Sequence, residues 1–224
     1  MVLKLYGSAM SFARVLVTIL EKDLPYEHIL IDIAKGDQKS EAYKKLQPFG
    51  KVPALEDDRF LIFESRAICK YLARQVFHSR ISFGKYTAGT KLIPEGDNKA
   101  YGLFEQACSV EQSYFAAASE TIGTELVIKK IKGLSPPDKA RVAQAEADLD
   151  EVFAYYDKVL AKQKYLAGDE LTLVDLFHLP NGSALKAFGY KGTFEKYPNV
   201  DKWFTGLQER ETWVKAAALA GTAA

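Results

Sequence analysis

The chain has 224 residues, 48% hydrophobic, 26% charged and 12% aromatic, which suits a soluble globular protein and excludes a mainly disordered or collagen-like one. Thirty Lys and Arg against twenty-nine Asp and Glu leave a formal net charge of +1, and no basic segment compensates, so nucleic acid is not an expected partner. Two cysteines cannot build a disulfide framework or a four-ligand metal site, the opening MVLKLYGSAM has no signal-peptide core, and no run reaches the roughly 18 to 20 apolar residues of a membrane helix; a cytoplasmic location without a membrane partner is expected.

In chain order, Val2 to Tyr6 reads as a strand, Ser11 to Lys22 as a helix with Val15, Leu16, Ile19 and Leu20 on one face, and His28 to Ile33 as a second strand. A short helix is predicted over Ser40 to Leu46. PFGKVPALEDDRFLIFE then reads as turn, strand, Asp57-Asp58 hairpin and strand, after which Ser65 opens a helix carrying Ile68, Tyr71 and Leu72. The order βαβ, α, ββα predicts a four-stranded mixed sheet of the thioredoxin-like kind. From Lys99 onward strand signals vanish. Helices are predicted over Ala100 to Glu120, Lys139 to Ala161, Leu171 to Phe188 and Pro198 to Ala220, the last with a break near Glu211, and Pro136-Pro137 and Gly182 read as interruptions. Thr172 and Asp175 have the spacing of a capping box. The predicted fold is thus an α/β domain over residues 1–74, a linker over 75–90 and an all-helical domain over 91–224.

Gly7-Ser8-Ala9-Met10-Ser11 lies where a strand hands over to a helix, at the carboxyl end of the sheet. A hydroxyl at Ser11 either caps the helix or, with free amides and the positive helix end nearby, donates to a bound thiolate; Ser8 competes for either role. Val52-Pro53 begins a strand after a turn, and a cis bond there would present Val52 as a short edge for an extended ligand. Glu64-Ser65 offers a second amide-rich junction that reads either as a cap or as an anion site. Cys69 and Cys108 fall inside helices and read as core. His28, His78 and His178 lack metal-ligand spacing, and no metal is expected. Tyr114-Phe115 and Tyr155-Tyr156 read as helix packing or as the wall of an apolar cleft.

GSAMS, QPFGKVPALEDD, IFESRAICKYLA and LTLVDLFHLP together resemble the phi-type cytosolic glutathione transferases of plants and fungi, over nearly the whole chain. The resemblance implies glutathione as co-substrate with no resident cofactor, and a homodimer. It implies that Ser11 hydrogen-bonds the glutathione sulfur and that Val52 before a cis Pro53 holds the cysteinyl part. Glu64 and Ser65 would grip the γ-glutamyl end, and Gln38, Lys39 and Lys51 would lie near the glycine end. Small apolar electrophiles would occupy a pocket near Phe12, Gln112, Phe115 and Ser119. The implied activity is conjugation of the glutathione thiolate to such electrophiles. A non-catalytic ligand-binding or regulatory protein on the same fold, with weak peroxidase activity, is the other reading. A serine at the first junction disfavours disulfide exchange, since it cannot form a mixed disulfide.

Two features depart from the phi pattern. Ser11-Phe12-Ala13-Arg14-Val15 is about two residues shorter than usual between the serine and the Arg-Val pair, which rotates a helix by roughly half a turn. Either the helix starts later and Ser11 stays in the loop, or its hydroxyl points elsewhere. Residues 75–84, QVFHSRISFG, read as an insertion in the linker, either a genuine loop or a gene-model artefact.

Overall fold

The structure, a computed structural model, describes residues 2–74 and 89–221. The insertion expected at 75–84 lies outside the described residues. Two compact units emerge, one from Met1–Ile93 with Arg210–Ala223 and the other from Pro94–Glu209.

In the first unit, strands β1 (Leu3–Gly7), β2 (Tyr26–Leu30), β3 (Ala54–Asp57) and β4 (Phe60–Phe63) form one sheet in the order β2-β1-β3-β4. β1 and β2 run parallel, with Leu5 opposite His28, because helix α1 (Ala9–Glu21) carries the chain back between them. β3 is antiparallel to both β1 and β4; the turn that joins β3 to β4 is Asp58-Arg59, one residue later than expected, since Asp57 still pairs with Phe60, and Asp58 takes φ 58° there. A short 3-10 turn (Asp37–Lys39) and α2 (Glu41–Lys44) precede β3, and α3 (Ser65–Ala73) follows β4. Leu3, Leu5, Val15, Leu16, Ile19, Leu55, Ile68 and Leu72 are buried between the sheet and the helices α1 and α3, the period-two and period-3.6 positions meeting as their spacing demands.

The second unit is helical. α4 (Asn98–Val110), α5 (Ala117–Gly123) and α6 (Lys129–Ile131) follow one another with π-helical turns at Glu111–Ala116 and Thr124–Ile128, so the helix expected to end at Glu120 runs on to 131. α7 (Lys139–Leu160), α8 (Leu173–Leu185), α9 (Lys191–Glu195) and α10 (Pro198–Gln208) follow. α8 is apolar nearly all round and buried over Leu173 to Gly182, which marks a central helix. The capping box forms as read: the Thr172 amide donates to the Asp175 carboxylate at 2.9 Å, and the same carboxylate accepts from the Leu166 amide and the Trp203 indole. Gly182 does not interrupt this helix. A Cβ there would stand 2.4 Å from the Phe204 ring, so glycine is what lets α8 and α10 approach.

The domain boundary at 91–224 needs revision at its far end. Arg210 breaks the last predicted helix with extended backbone (φ −62°, ψ 130°), and α11 (Glu211–Leu219) returns to the first unit, packing on α1 through Trp213, Ala216 and Ala217. Glu21 at the end of α1 fixes that return. Its buried carboxylate accepts from Arg210 Nε at 2.8 Å and Nη2 at 2.9 Å, from Thr90 at 2.7 Å and from the Thr212 hydroxyl. Burial pushes the carboxyl pKa up, but these donors and the Arg210 charge outweigh it and hold the group below its ordinary range.

Candidate functional site

The residues singled out at the two strand-helix junctions and the proline turn all belong to the first unit. α1 starts at Ala9, with φ 63° at that residue, so Ser11 stands inside the first turn and not in a preceding loop. Half-buried there, its hydroxyl donates to the carbonyl oxygen of Val52 at 3.0 Å, and the Val52–Pro53 bond is cis. Ser8 is otherwise engaged: its hydroxyl donates to the Ile31 carbonyl at 2.8 Å and tethers the junction to the end of β2. Tyr6, the other hydroxyl near this end of β1, donates to Glu56 at 2.7 Å, and burial together with that carboxylate pushes its phenol up to about 12. Ser11 is therefore the hydroxyl that this junction leaves beside Val52.

The proline turn gathers the next group. The Lys51 amide donates to Gln47 Oε1 at 3.2 Å, the Tyr43 hydroxyl donates to the Lys51 carbonyl at 2.9 Å, and Lys39 Nζ donates to the Phe49 carbonyl at 3.2 Å. Gly50, at φ 59°, makes this packing possible, since a Cβ would stand 2.6 Å from the Gln38 carbonyl. Gln38, Lys39 and Lys51 thus share one neighbourhood with Val52. Gln38 keeps a buried Oε1 that no donor reaches among the described residues, its amide nitrogen donating to Ile33 O at 3.4 Å.

At the second junction, Glu64 is exposed and holds φ 71°, a left-handed conformation costly for a residue with a side chain. Ser65, the first residue of α3, is buried, and its hydroxyl accepts from Arg14 Nη1 at 3.0 Å. Helix bonding begins only with the Ile68 amide on the Glu64 carbonyl, so the amides of 65–67 have no intrahelical partner. Arg14 was not among the sequence candidates; an arginine in a helix reads as a solvated charge, and only its flanks, Ala13 and Val15 on a wholly apolar stretch, hint that it is buried.

The four residues expected beside an acceptor are placed differently within their own units. Phe12 is fully buried inside the first unit, its ring 4.3 Å from that of His28, because the early start of α1 turns Phe12 inward while Ser11 faces Val52. Phe115 and Ser119 lie in the interior of the second unit. The Phe115 ring sits 4.5 Å from His178, and Ser119 donates to the Ala116 carbonyl and accepts from Asn181. Of the four, Gln112 alone is exposed. The aromatic pairs are split by the 100° between helical neighbours: Phe115 and Tyr156 are core, while Tyr114 and Tyr155 are exposed and line a cavity of about 780 Å³ in the second unit with Val110, Ala117, Ala145 and Val152.

Neither cysteine is placed for nucleophilic chemistry. Cys69 and Cys108 are buried and form no disulfide, and burial pushes the Cys69 thiol up to about 11. Among the described residues no cluster of three His, Cys, Asp or Glu could hold a metal ion, and no helix is long and apolar enough to cross a membrane.

Comparison with known proteins places these features. The family model for the glutathione S-transferase N-terminal domain matches residues 1–74, and that for the C-terminal domain matches residues 98–211. The chain is 72% identical to the glutathione S-transferase hmp2 of Hypomyces subiculosus, covering 97% of this chain and 99% of that protein. It is 38% identical to the glutathione S-transferase PARB of Nicotiana tabacum, with 96% and 97% covered. Among solved structures, glutathione transferase F7 from Populus trichocarpa superposes with a TM-score of 0.88 at 30% identity, covering 98% and 99% of the two chains. Glutathione S-transferase I from maize, in complex with an atrazine glutathione conjugate, superposes with a TM-score of 0.87 at 34% identity over the full length of both.

Proposed function

This chain belongs to the glutathione S-transferase family, and from that membership we propose how its first unit activates the glutathione thiol for transfer to small apolar electrophiles. The observation that carries the proposal is the Ser11 hydroxyl, 3.0 Å from the Val52 carbonyl at the start of α1. A free thiol with a pKa near 8.5 is mostly protonated at neutral pH, and only its thiolate attacks well. A hydroxyl that donates to the sulfur stabilises the charged form, and the free amides in the first turn of α1 add to it. Ser11 has one proton, so donation to sulfur replaces the bond to Val52. Val52 then offers its main-chain groups to the cysteinyl segment. Lys39, Lys51 and Gln38 face the glycine end, and Ser65 with the amides of α3 takes the γ-glutamyl carboxylate.

The transfer itself is a displacement. The thiol proton leaves to solvent, the sulfur lone pair forms a bond to the electrophilic carbon, and on an aryl halide the carbon–halogen bond breaks with its electrons leaving on halide. The chain supplies no covalent intermediate. We place the protein in the cytosol as a homodimer; two buried cysteines outside any disulfide and the exposed Phe60 and Leu61 on edge strand β4 support that placement. The test is conjugation of an activated aryl halide by the native chain and by Ser11→Ala. The expected result is at least a tenfold loss of rate in the variant, with glutathione still raising its melting temperature. Unchanged activity removes Ser11 from the role, and absence of stabilisation of the native chain by glutathione favours a non-catalytic protein on this fold.

A further inference from the structure

Arg14 is the charged residue of the first unit that touches a candidate site residue from within the core. It lies one turn beyond Ser11 on α1, is 3% exposed, and reaches α3 at two points four residues apart. Its guanidinium donates to the Ser65 hydroxyl at 3.0 Å, and its main-chain carbonyl accepts from the Cys69 thiol at 3.4 Å and from the Thr18 hydroxyl at 3.2 Å. Residues i and i+4 share a helix face, so Ser65 and Cys69 hold Arg14 from the same side of α3.

The direction of the Arg14–Ser65 bond decides what Ser65 can do. A serine hydroxyl has two acceptor sites and one proton. Because Arg14 can only donate, it occupies an acceptor site and leaves the proton for another partner. Among the described residues that proton meets no acceptor. A buried hydroxyl that accepts from a cation is also polarised into a better donor. Next to it lie the first-turn amides of α3 and the left-handed Glu64.

On the reading of Glu64-Ser65 as the γ-glutamyl end of the glutathione site, we infer that Arg14 is a positioning residue for the α-carboxylate of the γ-glutamyl group. It aims the Ser65 proton outward and places a positive charge behind it, without touching the ligand. One side chain on α1 thereby ties the carboxylate-binding junction to the helix that carries Ser11.

The experiment measures kcat and KM for glutathione, and for a glutathione analogue whose γ-glutamyl α-carboxylate is an amide, with the aryl halide saturating. The native chain is expected to prefer glutathione by at least tenfold in kcat/KM. Arg14→Met and Ser65→Ala should each raise the glutathione KM about tenfold, leave kcat within about threefold, and reduce the preference over the amide. The double variant should be no worse than the worse single one within about twofold, because both changes remove the same donor. Ser65→Thr, which keeps the hydroxyl, should restore the preference. If Arg14→Met does not fold, Arg14→Lys serves: it keeps the charge but loses the planar fork, and the KM should rise with kcat retained. Full additivity of Arg14 and Ser65, or an undiminished preference in a folded Arg14 variant, overturns the inference. A native chain that conjugates neither thiol overturns the underlying site reading instead.

Discussion

The two strand-helix junctions of the first unit both bring a serine to the start of a helix, yet they use it in opposite senses. At the β1–α1 junction Ser11 is the donor, giving its proton to the Val52 carbonyl; at the β4–α3 junction Ser65 is the acceptor, taking a hydrogen bond from Arg14. Neither serine caps its own helix, the role that spacing alone favours for such a residue. A hydroxyl at a helix start is thus defined less by its position in the sequence than by the group that approaches it from elsewhere in the fold. In this chain those groups come from a proline turn forty-one residues away and from a buried arginine fifty-one residues away.

The strongest way to disturb both junctions at once is to release the helix they share. Glu21→Ala should cost about 3 to 5 kcal/mol, the range for removing one partner of a buried ion pair, because Arg210 and two threonines lose their acceptor. Urea unfolding of the two chains checks it. The linkage sign follows from the lowered Glu21 carboxyl: its contribution is present above the unfolded carboxylate range near 4.3 and is lost as pH falls through the folded value, so the gap between native and variant should shrink in acid. The next effect separates the junctions. Ser11→Ala should lower kcat at least tenfold with a glutathione KM within about threefold of native, a loss of roughly 1.4 kcal/mol or more confined to the transition state. Ser65→Ala should show the reverse split, a KM raised about tenfold and kcat nearly retained, as expected for a donor to a carboxylate that is bound equally throughout the reaction. If both serines moved kcat and KM together, the two junctions would not differ as described. The smallest effect belongs to Ser8→Ala, which removes only the bond to Ile31: thermal unfolding should shift by about 1 kcal/mol or less, with unchanged kinetics.

Much of the fold is legible in the sequence, and the parts that are not share a cause. Local periodicity identifies the strands, α1, α3 and the capping box at Thr172, since each is settled by residues within one or two turns. That GSAMS, the proline turn and IFESRA serve one ligand is what the resemblance to the phi-type transferases implies, not what their local pattern carries. What local pattern does not carry is which partner approaches from far away. The burial of Phe12 and Phe115 depends on the starting point of α1 and on the π turn at 111–116, which set the phase of their helices. α11 reads as the end of the helical domain because the attraction that returns it to α1 resides in one carboxylate, Glu21, nearly 190 residues earlier. Arg14 is silent for the same reason: its meaning lies in Ser65.

Stabilisation of a thiolate by Ser11 is the step on which the proposed activity depends. Ultraviolet absorbance of the thiolate, followed against pH for glutathione bound to the native chain and to Ser11→Ala, tests that most directly. The expected result is a native thiol that ionises well below the ordinary value near 8.5 and a variant whose ionisation moves back toward it. Superimposable titrations of the two would contradict the role assigned to Ser11.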